Sequence, residues 1–280
     1  MKQIIKEFIL FLGAPLTFFS SLWVRFVRRL DAGKITDKIF MKLGVLPILD
    51  HYYMPLINPK KYLTKSLRED RELPGIDFNV NEQLNLLSKF NYNEELLKFP
   101  LNKDKENEYY YNNPWYGSGD SEYLYNIIRY FKPNRIFEIG SGYSSLMVRK
   151  GISNNKLEDT TYNCHHICIE PYEMPWLEKI EVELIREKVE NVDKSLFQKL
   201  ESNDILFIDS SHIIRPQGDV LFEYLEILPT LRSGVLVHIH DIFTPKDYLD
   251  EWVYNHWFHN EQYILESFLT FNSDFKIMGA

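Results

Sequence analysis

At 280 residues the chain can bury one substantial core and still carry an extension, since domains usually hold about 100 to 200 residues. Charged residues at 26% and hydrophobic ones at 45% exclude wholesale disorder. The net charge of -8 argues against broad nucleic-acid binding, but residues 1 to 50 carry eight Lys or Arg against four acids, so a +4 prefix precedes a -12 body.

The chain opens with an apolar run from Phe8 to Val24, 17 residues without a charge, followed by Arg25, Arg28 and Arg29. As a helix this run is about 26 Å long, short of the roughly 30 Å hydrocarbon core, and Pro15 lies near its middle. A clean transmembrane span is therefore not expected, and the lack of a small-residue cleavage site speaks against a secretory signal. Two other settings stay open. One is an amphipathic helix at an anionic membrane surface, through residues 8–29, with Trp23, Phe26 and Val27 beside the basic side chains. The other is a helix buried against the catalytic domain or a partner subunit, and a homo-oligomer remains an option.

Pro47, Pro55, Pro59, Pro74 and Gly75 punctuate residues 44 to 80 as a surface linker, and Asn81 to Phe90 reads as a short helix. The expected organisation is a basic helical segment at 1–43, linker and short helices at 44–104, and a catalytic domain at 105–280. Tyr109 to Asp120, rich in aromatics and turn formers, is expected either to close over a ligand or to pack the first domain helix onto the sheet.

From Ser121 onward the order is regular. The sequence predicts a helix at Ser121–Phe131 and strands at Arg135–Ile139, His166–Glu170, Val182–Ile185, Asp204–Asp209, Gly234–His240 and Phe275–Met278. Helices are expected between them, at Ser144–Ile152, Val192–Leu200, Gly218–Leu231 and Glu261–Phe271. Short apolar strands alternating with helices imply an α/β fold, a doubly wound, mostly parallel sheet covered on both faces, with ligands at the carboxyl ends of the strands. Cys164 and Cys168, four apart, form no disulfide framework, which fits a reducing cytosol. With His165 and His166 they do not amount to a zinc set, for want of further paired ligands.

At those strand ends the sequence places Glu138 and Gly140, then Glu170, Asp209, and His240 with Asp241. In Arg135-Ile136-Phe137-Glu138-Ile139-Gly140-Ser141-Gly142-Tyr143-Ser144-Ser145 an apolar strand runs into two glycines and a helix, a turn suited to a nucleotide-like ligand. A dinucleotide fingerprint would want a glycine where Ser145 stands and an acid about 20 residues on, whereas Glu170 lies 28 after Gly142. Glu138, Gly140-x-Gly142 and an acid closing the next strand instead resemble the class I S-adenosylmethionine-dependent methyltransferases, over roughly residues 115 to 280. The resemblance implies a Rossmann-like methyltransferase fold with S-adenosylmethionine as cofactor. It makes Glu138, Gly140, Ser141, Gly142, Glu170 and Asp209 the candidate cofactor contacts, with Glu170 on the ribose hydroxyls.

Phe207-Ile208-Asp209-Ser210-Ser211-His212 and Val237-His238-Ile239-His240-Asp241 resemble a bacterial O-methyltransferase branch that includes enzymes with a divalent metal near the acceptor. That resemblance makes Asp209, His240 and Asp241 candidate ligands for Mg or Mn, although the branch often has a carboxylate where this chain has His240. His240, Asp241 and His212 are the candidate catalytic residues. His238 is assigned to packing, and His256 and His259 to surface or lid roles. The expected activity is O-methylation of a small molecule or glycan, in the cytoplasm or at the inner face of the membrane. A nicotinamide-dependent oxidoreductase and a non-catalytic membrane-associated module are the alternatives. The family's final antiparallel strand has no counterpart after Met278, so either the chain is cut short or the sheet is incomplete with an exposed edge.

Overall fold

The computed structural model describes residues 2–30 and 33–280 and divides into two compact units, Met1–Ser66 and Leu67–Ala280. In the first, helix α1 (Lys2–Arg29) runs through Pro15, and α2 (Gly33–Leu43) follows it. The 28 residues of α1 reach about 42 Å at about 1.5 Å per residue, so length does not rule out a membrane span as the uncharged run alone suggested. Of its side chains only that of Val27 is buried, and by length and composition the helix is apolar enough to cross a membrane.

The second unit is built on five parallel strands, β1 (Arg135–Ile139), β2 (His165–Ile169), β3 (Glu183–Ile185), β4 (Ile205–Ile208) and β5 (Leu236–Ile239), in the order β3-β2-β1-β4-β5. The order reverses between β1 and β4, and the crevice outside their carboxyl ends is where such sheets bind ligands. Alternation along each strand feeds two cores. Ile136, Ile205 and Phe207 face α3 (Asp120–Phe131) and α4 (Tyr143–Glu158) through Leu124, Ile128, Met147 and Ile152. Phe137, Ile139, Ile167, Leu206 and Ile208 face the opposite layer, with Val220, Tyr224 and Ile227. Arg129, almost wholly buried, ties α3 to α4 by donating to Asn155 and Glu158, and also to Glu95 at 2.8 and 2.9 Å. This is the Rossmann-like, doubly wound arrangement expected for the fold class.

Several boundaries differ from expectation. Phe275–Met278 is not a strand: Tyr123 donates to the Met278 carbonyl, Asn79 to that of Ile277, and Gln83 accepts from the Ala280 amide, so side chains take the backbone groups a sheet would have used. Among the described residues the sheet therefore has five strands where the sequence predicts six. Residues 194–199 form a 3-10 turn capped by Asp193 rather than an α-helix. The expected helix from Gly218 begins as α5 (Asp219–Phe222), widens to a π turn at Glu223–Ile227 and ends in a 3-10 turn holding Pro229, which has no amide to continue the ladder. His256 and His259 lie beyond the short helix α6 (Asp250–Tyr254) and do not share a helical face. The last helix, α7, spans Glu261–Leu269.

Candidate active site

Gly140 marks the turn out of β1 beside the end of β4. Its φ is +74°, and a Cβ there would lie 1.8 Å from the carbonyl oxygen of Asp209, so no side chain fits between the ends of β1 and β4. Gly142 differs: its φ of -168° is open to any residue, and an added Cβ would meet only Met174, at 3.9 Å. The amides of Gly140, Glu170, Asp209 and His240 each donate to the neighbouring strand, to Ile169, Ile185, Ile139 and Ile208 respectively. These residues are therefore the first step beyond the sheet, and the side chains of Glu170, Asp209 and His240 are free to turn onto the rim.

Glu170 is buried, and its Oε1 accepts from the amides of Tyr172 and Glu173, each at 2.9 Å. Those two bonds lock the carboxylate. Its Oε2 turns to the glycine loop, 3.4 Å from the Ser141 amide, and keeps capacity for a further donor. Glu138 lies deeper, with no exposure, pairing through Oε2 with His166 at 2.7 Å and with the Cys168 thiol at 3.4 Å. Its Oε1 and the Ser141 hydroxyl are buried without a hydrogen-bond partner, directly beneath the turn. Cys164 and Cys168 are both buried free thiols.

The second half of the rim brings together Asp209, His212, His240 and Asp241. Asp209 Oδ1 lies 3.2 Å from both His212 Nε2 and His240 Nδ1, and Asp241 Oδ2 lies 3.5 Å from the same two nitrogens. Burial opposes charge on His212, but its contacts with Asp209 and Glu261 outweigh that and push it up to about 10. His240 is likewise up to about 10, against burial, through Asp120 and Asp209. Burial would raise Asp209, yet the two imidazoles hold it well below the usual carboxylate range, whereas Asp241 is raised by burial. In this arrangement both histidines keep both protons at neutral pH, and neither is a base until one proton is displaced. The ligand atoms of Asp209, His240 and Asp241 lie within 4.8 Å of one another, so the three expected metal ligands do converge.

A methyltransferase-domain family matches residues 137–242, from β1 through the glycine turn to the residue after Asp241. An uncharacterized protein of Archaeoglobus fulgidus is 34% identical over 170 residues, covering 55% of this chain and 74% of that relative. The chain belongs to the class I methyltransferase family. No solved structure matches it. As a class I methyltransferase it carries the acids and the glycine turn where the sequence placed them, and the nicotinamide alternative loses its footing. The buried Ser145 stands where a dinucleotide site would use glycine.

Three features of this methyltransferase escaped sequence reasoning. Glu261, fully buried, accepts at Oε2 from His212 Nδ1 at 2.7 Å and at Oε1 from the Tyr224 hydroxyl at 3.0 Å. Asp120, the first residue of α3, reaches His240 Nε2 at 3.6 Å. Gln262 accepts from the Phe243 amide and donates to the Lys246 carbonyl, while Arg71 bonds the carbonyls of Pro245 and Lys246, so the loop after β5 is clamped. The run Asn260-Glu261-Gln262 opening a helix was the available signal. Of the tyrosine-rich segment, Tyr109 and Tyr116 are core residues, and the Tyr116 ring lies 5.1 Å from that of His240. His238 packs on Phe207 and burial pulls it down to about 4, in line with a packing role.

Proposed function

We propose that the protein is an S-adenosylmethionine-dependent methyltransferase acting on an oxygen of a small molecule or glycan. The observation that carries this is the crevice itself: a glycine that admits no side chain against Asp209, with the locked Glu170 carboxylate on one side and the Asp209, His212, His240 and Asp241 rim on the other. When bound, the cofactor supplies a methyl group on a sulfonium, and a divalent ion held by Asp209, His240 and Asp241 would supply Lewis acidity toward an acceptor hydroxyl. The chain's own part is positional. Glu170 Oε2 accepts from the ribose hydroxyls, the glycine turn lets the backbone approach the methionine end, and the histidine-carboxylate rim receives the acceptor, whose proton passes to Asp241, the rim acid that burial raises. Incubation with methyl-labelled S-adenosylmethionine and a panel of phenol, sugar and amine acceptors is expected to give label in ethers. Label found only on nitrogen would refute the oxygen assignment.

We also read α1 as attaching the chain to the inner face of a membrane. Its uncharged run is flanked by Lys2 and Lys6 at one end and Arg25, Arg28 and Arg29 at the other, the composition that favours an anionic leaflet. The full chain is expected to float with anionic vesicles, and Leu12→Asp with Phe19→Asp to leave it in the soluble fraction. Equal flotation of both proteins would contradict this placement.

A further inference from the structure

We propose that His259, Trp252 and Trp257 form the acceptor subsite, an aromatic wall that takes the apolar face of a saccharide while the sugar's hydroxyls meet the carboxylate rim. This deepens the methyltransferase reading and rests on it for the reaction carried out there. The wall begins at the rim itself. The His259 ring stands 5.3 Å from that of His212, Trp252 stands 5.1 Å from His259, and Trp257 stands 6.2 Å from Trp252, centroid to centroid. Exposure rises along the series: His212 is buried, His259 and Trp252 are half-buried, and Trp257 is 54% exposed. Burial, and then the charge on His212, pull His259 down to about 4, so it joins the series as a neutral ring. An indole left half in water, at the end of a run of rings that starts on a candidate catalytic residue, is apolar surface for a substrate to cover.

Two further observations point the wall at acceptor choice. It is braced to the rim: the His212 carbonyl accepts from the Asn260 amide at 2.9 Å, and Asn260 Oδ1 accepts from the Ile214 amide at 2.6 Å. Behind the indoles the buried Tyr248 stacks on Trp252 at 6.1 Å, and its hydroxyl accepts from the Gln262 amide at 3.0 Å. The rings are thus held in place before a ligand arrives, which lowers the cost of ordering them. The second observation is where they come from. The methyltransferase-domain match ends at residue 242, and all three rings lie beyond it. The shared part of the chain supplies the glycine turn and most of the rim, so a segment outside it is the place to select an acceptor. The class follows from the two surfaces that meet there. Asp209 and Asp241, both beside His212, accept from hydroxyls, whereas the wall offers no charge. A saccharide carries a C–H face and an edge of hydroxyls, matching both surfaces at once. The two indole planes are inclined at 47°, an open angle and not the parallel slot that would grip a flat aryl ring on both faces.

The test is calorimetric titration of the full chain, with and without S-adenosylhomocysteine, using methyl hexosides and disaccharides in one arm and phenol and catechol in the other. At least one saccharide is expected to bind saturably, and Trp257→Ala to weaken it by at least about tenfold. Trp257→Phe keeps a ring face and should return the affinity to within about threefold of wild type, a rescue that a general loss of structure would not give. The exposure of Trp257 makes a folding defect in these variants easy to avoid, and Trp252→Ala, one ring closer to the rim, should weaken the same saccharide in the same direction. Binding of the phenols but of no saccharide, or a saccharide affinity that Trp257→Ala leaves unchanged, would overturn the wall. S-adenosylhomocysteine titrated in parallel separates the two claims. Its binding with no saccharide bound sinks the subsite alone, and a saccharide affinity that depends on Trp257 without binding of S-adenosylhomocysteine sinks the methyltransferase reading alone.

Discussion

Gly140→Ala is expected to abolish cofactor binding and to destabilise the catalytic unit by about 2–5 kcal/mol. Two costs combine. A non-glycine residue at φ +74° pays about 1–2 kcal/mol for the left-handed backbone, and the added methyl, 1.8 Å from the Asp209 carbonyl oxygen, forces β1 and β4 apart at their carboxyl ends at about 1–3 kcal/mol more. Gly142→Ala is the internal comparison. It needs no positive φ and meets only Met174, so it should cost far less in a urea melt. Equal destabilisation by the two substitutions would show that the pinch at Gly140 is not what sets the crevice.

Asp209→Asn is expected to lower methyl transfer by at least about a hundredfold while changing S-adenosylhomocysteine affinity by less than about threefold. The side chain of Asp209 faces the two imidazoles, 3.2 Å from each, while its backbone carbonyl forms the wall against Gly140. The substitution keeps the wall and removes the charge that holds His212 and His240 on one atom. Without that charge the two cationic imidazoles lose a shared counterion, and the acceptor loses its ordered rim. Label transfer to the acceptor panel reads the first effect and calorimetry the second. A loss of cofactor affinity matching the loss of rate would place Asp209 in the cofactor pocket instead.

What the sequence disclosed follows from how local each signal is. Apolar runs that end in Glu170, Asp209 and His240 announce both a buried parallel strand and the polar residue just beyond it, so β1 was found to the residue and the rim by its members. Glu138 was read as a cofactor contact from its spacing to Gly140, whereas its side chain is wholly buried and engaged by His166, a residue of the neighbouring strand β2 that no local pattern reveals. Phe275–Met278 carries apolar residues suited to a strand, yet Asn79 and Tyr123, about 155 to 200 residues away in sequence, claim two of its carbonyls, and Gln83 takes the Ala280 amide just beyond it. Glu261 and Asp120 were missed for the same reason. Each acts on an imidazole supplied by a distant loop, and an acid at the start of a helix is ordinarily satisfied by the helix end itself.

The central claim is that the hollow between the ends of β1, β2 and β4 grips the sugar and amino-acid ends of S-adenosylmethionine. Calorimetric titration of S-adenosylhomocysteine, with NAD as the competing ligand, into wild type and Glu170→Ala tests it most directly. Micromolar binding of S-adenosylhomocysteine, no binding of NAD, and a loss of at least about tenfold in the variant, equivalent to about 1.4 kcal/mol, is the predicted result. Heat from NAD alone, or an affinity for S-adenosylhomocysteine that Glu170→Ala leaves unchanged, would contradict it.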